Sequence, residues 1–205
     1  MAVTAEGWTT NPFVRISPGV RPPRGAEEGA VPKGAAPFRL SKVREGIENR
    51  SVGTIMIERL YISPEHNYVG HKGQPAGTQP HFEVSEIACV AGSGIREDRY
   101  FNHQPDYKGQ ITFFSSEVFQ LMKRELGLDS ANAGSSRRNV LISGVDLNSW
   151  IGKEFELQGV RFFGVEECRP CAWMDQAFAH GAHAWLMGRG GLRARILTNG
   201  ILTLG

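Results

Sequence analysis

Residues 137–165 read RRNVLISGVDLNSWIGKEFELQGVRFFGV, and this stretch decides the class of fold. Short runs rich in valine, isoleucine and phenylalanine alternate with turn residues, which is the pattern of β-strands. Gln158-Gly159 separates two such runs, and glycine supplies the positive φ angle that a tight hairpin turn needs. We therefore predict a β-hairpin that turns at Gln158-Gly159.

Further β-type runs lie on both sides of this stretch, from Val52 to the last residue. They are TIMIERLYI, HFEVSEIACV, QITFF, LRARIL and ILTLG. The last two runs are separated by Thr-Asn199-Gly200, and an Asn-Gly pair is a strong signal for a tight turn. We predict a second hairpin there.

Helical periodicity is confined to two segments. Residues 116–126 begin after a capping serine, Ser115 or Ser116, with Glu117 in the first turn. The apolar face of this helix would carry Val118, Leu121, Met122 and Leu126. Residues 175–187 are a weaker helical candidate. Many short strands with two helices predict a mainly β fold (α+β by content), either a β-barrel or a twisted sandwich with a few helices packed outside.

The chain divides by composition near position 51. Six of the eleven prolines precede it, in stretches such as SPGVRPPRGAEEGAVPKGAAP that follow neither the helical nor the strand period. Such a segment buries little apolar area to offset its ordering entropy. We expect a flexible arm over residues 1–51 and one folded domain over residues 52–205.

Charge and cysteine content narrow the function classes. Twenty-three basic against twenty-one acidic residues give +2, which does not suit a protein that binds nucleic acid through its phosphates. No apolar run is long enough to span a bilayer, so we expect no membrane partner. Three cysteines form no closed disulfide framework, and the start of the chain lacks a secretory signal pattern, so we expect a cytoplasmic protein.

Cys168-Arg-Pro-Cys171 is the motif with the most chemistry, and its spacing alone leaves four interpretations open. A structural zinc site needs four ligands, a thioredoxin-like dithiol normally opens a helix in a βαβ unit, and free cysteines are often small core residues. The fourth interpretation is a single functional thiolate. Arg169 favours it, because a neighbouring positive charge stabilises the thiolate that binds soft metals or attacks.

Three arginine-rich segments could bind an anion. Arg137-Arg138-Asn139 leads into a strand, residues 96–100 (REDRY) follow a glycine-rich turn, and residues 188–195 (GRGGLRAR) bring glycines before another strand. Guanidinium groups and backbone N–H groups are the donors that phosphate prefers. The alternative for the first segment is a pair of solvated surface charges. For the second it is an ordinary surface loop, and for the third a plain connection between two elements.

The order of these segments resembles the MOSC family, named after the C-terminal domain of molybdenum cofactor sulfurases. The resemblance runs from VGTIMIERLYISP through GIREDRYF, KGQITFFSSE, the RRN segment and ECRPCAWM to GRGGLRARIL, from Val52 to Gly205. It implies a β-barrel-like MOSC fold that binds the molybdenum cofactor, a metal held by a pterin. It also implies that the second cysteine of the CxPC motif, Cys171, is the molybdenum ligand.

The resemblance also implies cofactor contacts, residue by residue. Arg137 and Asn139 would contact the pterin or its phosphate, Arg138 belongs to the same motif, and Arg169 would shape the loop that presents the sulfur. Asp98, Arg99 and Tyr100 match the family's Gly-Asp-Arg-Tyr pattern, and His66 and Asn67 match two cofactor-contacting positions of related amidoxime-reducing proteins. Glu97 stands where glycine is usual, so its charge would crowd or repel a phosphate.

Two activities follow from the resemblance. One is the reduction of small N-hydroxylated substrates, with electrons from a separate flavin or iron–sulfur protein, because this chain has no ferredoxin-type cysteine cluster. The other is sulfur carriage or cofactor handling, with Cys171 as persulfide acceptor. A non-enzymatic cofactor-storage module is a third possibility. Pyridoxal phosphate is not expected, because the chain is too short to include the desulfurase domain of sulfurases.

Overall fold

The computed structural model of the protein describes residues 54–66 and 77–205. The strands in these ranges are β1 (Met56–Ile62), β2 (Phe82–Val84), β3 (Glu86–Val90), β4 (Gly94–Ile95), β5 (Ile111–Ser115), β6 (Val140–Ser143), β7 (Glu154–Leu157), β8 (Val160–Glu167), β9 (Leu192–Ile196) and β10 (Gly200–Thr203). The helices are α1 (Ser116–Leu126), α2 (Trp173–Ala177) and α3 (Ala182–Trp185), with 3-10 helices at Ala133–Ser136 and Leu147–Trp150. The predicted arm, residues 1–51, and Asn67 lie outside the described residues.

The strands form two sheets. The larger has the order β2-β1-β6-β5-β9-β8-β7, with β5 and β6 parallel and its other neighbours antiparallel, and the smaller has the order β10-β3-β4. The predicted mainly β class is confirmed. In the two described ranges the larger sheet stays open, with β2 and β7 as its edges, and is not closed into a barrel.

Each face of the larger sheet buries a different hydrophobic cluster. Phe113 on β5 belongs to the cluster shared with the small sheet, which contributes Ile87 and Leu202. Phe114, the next residue, belongs to the cluster shared with the helices, which contribute Met122 and Leu186. Because successive side chains of a strand point to opposite faces, β5 is covered on both sides and supplies a rigid base for the segments around it.

The first helix has the predicted bounds. Ser115 is its N-cap and accepts a hydrogen bond from the Val118 N–H, and Gly127 ends it with a φ of 65°. Its most buried apolar residues are Phe119 and Met122, whereas Leu121 is half-buried. The predicted apolar face was therefore rotated slightly, because it omitted Phe119.

The weaker helical candidate, residues 175–187, is divided in two. Helix α2 ends at Ala177 and α3 begins at Ala182, because Gly181 between them has a φ of 94° and breaks the helical path. No helix in the described part of the chain is long and apolar enough to cross a membrane.

The two predicted hairpins have opposite outcomes. Gln158 and Gly159 have φ angles of 50° and 78° and join β7 to β8 as antiparallel neighbours, so this hairpin is confirmed. The hairpin at Asn199-Gly200 was wrong, because β9 pairs with β5 and β8 whereas β10 pairs with β3 in the other sheet. Long-range pairing overrides the local turn signal.

Candidate functional site

The RRN segment lies where a 3-10 helix meets β6. Arg137 ends that helix in the left-handed conformation, with a φ of 58°, and its N–H donates to the Gly134 carbonyl. Because of this turn, the side chains of the adjacent residues Arg137 and Arg138 contact different segments. The Arg137 guanidinium donates to the carbonyls of Glu65, which follows β1, and of Gln79, which precedes β2. The Arg138 guanidinium instead contacts the carbonyls of Cys168 and Gly190.

Asn139 joins three segments with its buried side chain. Its Oδ1 accepts hydrogen bonds from the N–H and hydroxyl of Thr112, at 3.1 and 2.8 Å. Its Nδ2 donates to the Tyr61 carbonyl and to Oδ2 of Asp98, at 3.3 and 3.1 Å. Because both ends of the amide are bonded within the protein, Asn139 organises the site, and its contact with a cofactor stays a prediction.

Asp98 is the carboxylate at the centre of this network. Besides Asn139, it accepts from the N–H groups of Ser63 and Tyr100, and it lies 3.6 Å from Nη1 of Arg99. Within the described residues that Nη1 is buried without a hydrogen-bond partner. The Arg99 guanidinium also lies over the Tyr100 ring, 4.8 Å from its centroid. Asp98 thereby fixes the loop, while Nη1 of Arg99 has the ion-pair contact with Asp98 but no hydrogen bond among the described residues.

Arg99 and Arg137 bring two positive charges together. Burial and the neighbouring Arg99 lower the pKa of Arg137 to about 10. A pKa lowered this far means that the local anions do not compensate the buried positive charge. An anion at this position would do so.

Aromatic and imidazole rings border this charge. His66 and Tyr100 meet edge to face at 5.0 Å, and His103 and Tyr107 lie 5.4 and 4.9 Å from the Tyr100 ring. Burial is the main cause that lowers the pKa of His66, and the charge of Arg99 is the second. Burial and the charge of Arg137 lower the pKa of His81. We define the cationic cradle as His66, His81, Arg99, Tyr100 and Arg137.

His81, His103 and Tyr107 were not among the residues predicted for the site. His81 is separated from the motifs in sequence and only the fold brings it there, whereas His103 and Tyr107 follow Tyr100 closely, so aromatic residues just after that motif were a signal that could have found them. The two close contacts of a Cβ built at Gly134, 2.6 Å from His81 Nε2 and 2.8 Å from the Tyr61 ring, show why glycine occupies that position. The AGSS sequence therefore carried a signal of close packing, but not the identity of the partner.

The backbone of Glu97 adopts a conformation that glycine favours. It has a φ of 66°, in the left-handed region that glycine adopts readily, and its side chain is exposed. The glycine usual at this position in the resembling family would suit the same conformation.

We call residues 168–171 the thiol loop. Cys168 is 3% exposed, and its N–H donates to the Gly191 carbonyl. Pro170 is buried, whereas Arg169 and Cys171 are exposed. Cys89, Cys168 and Cys171 are all free, and burial raises the pKa of Cys89 to about 12. Of these three thiols, Cys171 is the one open to a ligand.

The thiol loop is braced against the RRN segment. Arg138 donates to the carbonyls of Cys168 and Gly190, at 2.9 and 3.2 Å. Beyond Cys171, the Trp173 indole N–H donates to the Ser135 carbonyl at 2.8 Å. The structure thus places the RRN and CxPC motifs next to each other, although about thirty residues separate them in sequence.

The described ranges contain no group of three or more His, Cys, Asp and Glu residues arranged to hold a metal ion. The site instead combines one exposed thiol with arginines, imidazoles and phenols. Such a set can bind an anionic group and supply one sulfur ligand.

Comparison with known protein families shows which family the chain resembles. A family model described as MOSC domain matches residues 92–205, more than half of the chain. The chain belongs to the MOSC domain family. The matched residues include the thiol loop and the RRN segment, and the predicted membership is confirmed. MOSC domains are associated with the molybdenum cofactor.

Solved structures support the MOSC fold. YuaD from Bacillus subtilis is 17% identical, with a TM-score of 0.55, and the match covers 74% of this chain and 92% of that one. YiiM from Geobacillus stearothermophilus is 14% identical, with a TM-score of 0.54, and the match covers 74% and 72%. At these identities the likeness concerns the fold alone. No curated protein matches this chain.

Proposed function

We propose that this MOSC protein binds the molybdenum cofactor, with Cys171 as the metal ligand, and reduces small N-hydroxylated substrates. The observation that carries the proposal is that the RRN segment contributes Arg137 to the cationic cradle and Arg138 to the thiol loop, which ends in the exposed Cys171. The reaction would take a hydroxylamine or amidoxime N–OH, two electrons and two protons to the N–H compound and water.

The residues present fit such a group. Arg99 has a buried Nη1 donor without a hydrogen-bond partner among the described residues, and Arg137 has a pKa lowered to about 10 by burial and Arg99. Both features favour a phosphate or another anion in the cradle. The exposed Cys171 supplies the soft sulfur donor that molybdenum takes.

The cofactor, when bound, would supply the two-electron oxygen-atom chemistry, with electrons from a separate flavin or iron–sulfur protein. The chain's own part is to bind and orient. Arg99 and Arg137 would hold the anionic end, and Arg169 would lie at the exposed side of the thiol loop. Tyr100 and His66 would border the substrate, and neutral His66 can donate or accept a hydrogen bond. The predicted contact between Asn67 and the cofactor remains part of the proposal.

The proposal also includes a cellular location and partners. An exposed thiol persists in a reducing compartment, so the cytoplasm is part of the proposal. The proposal includes a small-molecule substrate and a donor protein, and neither nucleic acid nor membrane. The predicted division into an arm, residues 1–51, and a domain, residues 52–205, also remains part of it.

A second function is favoured by the exposure of Cys171, since the other two thiols are buried. The thiolate of a solvent-accessible cysteine can attack the outer sulfur of a donor protein's persulfide, with the donor's thiolate as leaving group, and can pass that sulfur on in the same way. This sulfur-carrier or cofactor-handling role needs the thiol loop but no permanently bound metal.

Native mass spectrometry and molybdenum analysis of the full chain test the proposal. The expected result is near-stoichiometric molybdenum and pterin in the wild type, their loss in Cys171→Ser, and their retention in the matched control Cys168→Ser. Full molybdenum in Cys171→Ser would overturn the ligand assignment. A wild type that carries one extra sulfur on Cys171 and no molybdenum would favour the sulfur carrier instead.

A further inference from the structure

Arg138 uses its guanidinium within the protein. Its Nε donates to the Gly190 carbonyl, Nη1 to the Ser136 carbonyl and Nη2 to the Cys168 carbonyl, at 3.2, 3.1 and 2.9 Å. One planar group therefore ties together three segments, namely the start of the RRN turn, the thiol loop and the connection into β9. A guanidinium suits this task because its five N–H donors have a fixed fork geometry.

The two more distant carbonyls lie at the boundary of the sheet. Cys168 follows β8, and Gly190 precedes β9, so neither carbonyl has a place in the regular pairing between these strands. Buried carbonyl groups need a donor. Arg138, which lies just before β6, supplies this donor and thereby holds the thiol loop against the RRN segment.

Gly190 makes this packing tight. A Cβ built on it would lie 2.4 Å from the Cys168 carbonyl oxygen and 2.8 Å from Cδ of Pro170. Its N–H also donates to Oε1 of Glu167 at 3.2 Å. The thiol loop therefore lies directly on the backbone at Gly190, and any outward shift of that backbone would displace it.

We propose that Arg138 is a positioning residue for Cys171. It acts through the Cys168 and Gly190 carbonyls, and contact between Arg138 and the cofactor is not needed for this role. Buried Cys168 and Pro170 anchor one end of the loop and exposed Cys171 ends it, so losing the guanidinium frees the loop while the cradle around Arg137 remains. The benefit to metal ligation rests on the proposed function; the bracing itself does not.

Alkylation of Cys168 measures the bracing without any cofactor. In a Cys171→Ser background, the remaining thiols, Cys89 and Cys168, are both buried and lie in different tryptic peptides. Iodoacetamide labelling, followed by peptide mass spectrometry, gives each rate separately. Adding Arg138→Ala should raise the Cys168 rate about 10- to 100-fold, because charge-assisted hydrogen bonds that hold the closed loop are lost.

Three controls accompany this measurement. Cys89 lies in β3 and should keep its slow rate, which reports the intactness of the fold. Arg161→Ala removes an exposed arginine that pairs with Glu154 and should leave the Cys168 rate unchanged. Arg138→Lys should give an intermediate rate, since a single ammonium group cannot reproduce the planar fork.

A second variant perturbs the same contact from the opposite side. Gly190→Ala keeps Arg138 but pushes on the Cys168 carbonyl and Pro170, so it too should speed Cys168 labelling. An unchanged Cys168 rate in Arg138→Ala would overturn the proposal. A parallel rise of the Cys89 and Cys168 rates would also overturn it, because the arginine would then stabilise the whole fold.

Molybdenum content separates this proposal from the proposed function. With Cys171 present, Arg138→Ala should lower bound molybdenum, and Arg138→Lys should restore part of it. If the wild type binds no molybdenum while Arg138→Ala still exposes Cys168, the proposed function fails and the positioning role stands. If Cys168 stays protected while molybdenum is lost on Cys171→Ser, the reverse holds.

Discussion

Arg137 and Arg138 are adjacent in sequence, but their guanidinium groups contact different regions. Arg137 enters the cationic cradle, where it lies near a second arginine, Arg99, whose buried Nη1 has no hydrogen-bond partner within the described ranges. Arg138 enters the region of the thiol loop, where its donors meet three carbonyls. Both arginines donate to backbone carbonyls, so the difference between them lies in their surroundings: Arg137 lies near a second arginine, which favours an anion, whereas Arg138 holds the backbone of the thiol loop.

The largest expected effect is that of Asn139→Ala, beside the cationic cradle. The change removes one hydrogen bond from Asp98, one from the Tyr61 carbonyl and two from Thr112, and it should lower the free energy of unfolding by about 3 kcal/mol. Urea unfolding measures the loss. Asn148→Ala removes one exposed hydrogen bond, to the Gly188 carbonyl, and should cost less than about 1 kcal/mol. Equal losses would contradict the view that Asn139 joins three segments with its buried side chain.

A smaller effect is expected from Trp173→Phe, in the segment that follows the thiol loop. It removes the indole N–H that donates to the Ser135 carbonyl, and it should cost about 1 kcal/mol in thermal or urea unfolding. The matched control is Trp185→Phe, whose indole N–H donates to Glu125 at an exposed position. A larger loss in the control would show that the brace beyond Cys171 contributes little.

The smallest effect is a shift in titration within the cradle. Burial lowers the pKa of His66 and His81, and Arg137 lowers both further, so Arg137→Gln should raise both toward 6.5. Arg138→Gln should leave them unchanged. Histidine proton NMR against pH gives the values, with His66→Gln and His81→Gln for assignment. Similar shifts in both arginine variants would erase the distinction between the regions.

The sign of the associated pH effect follows from the lowered pKa values. The unfolded chain takes up protons at His66 and His81 at higher pH than the folded chain does. Their contribution to stability is therefore greatest above about pH 6.5 and declines as the pH falls through that value. Arg137→Gln should weaken this decline.

Local patterns were sufficient where neighbouring residues decide the structure. The hairpin at Gln158-Gly159 and the helix capped by Ser115 or Ser116 were predicted because turn and capping preferences act over a few residues, and Ser115 is the cap. The motif order also identified the family, and the resemblance singled out Cys171. These conclusions needed no knowledge of which strands pair.

Tertiary structure decided the rest. Asn199-Gly200 connects two sheets because β10 gains its hydrogen bonds from β3, and no local preference encodes that choice. The separate roles of Arg137 and Arg138 depend on a left-handed turn at Arg137 and on carbonyls that lie far away in sequence. The sequence by itself determined which groups are available, because residue type sets their chemistry. Only the fold decided which groups are already satisfied, because that depends on partners that long-range packing brings within hydrogen-bond distance.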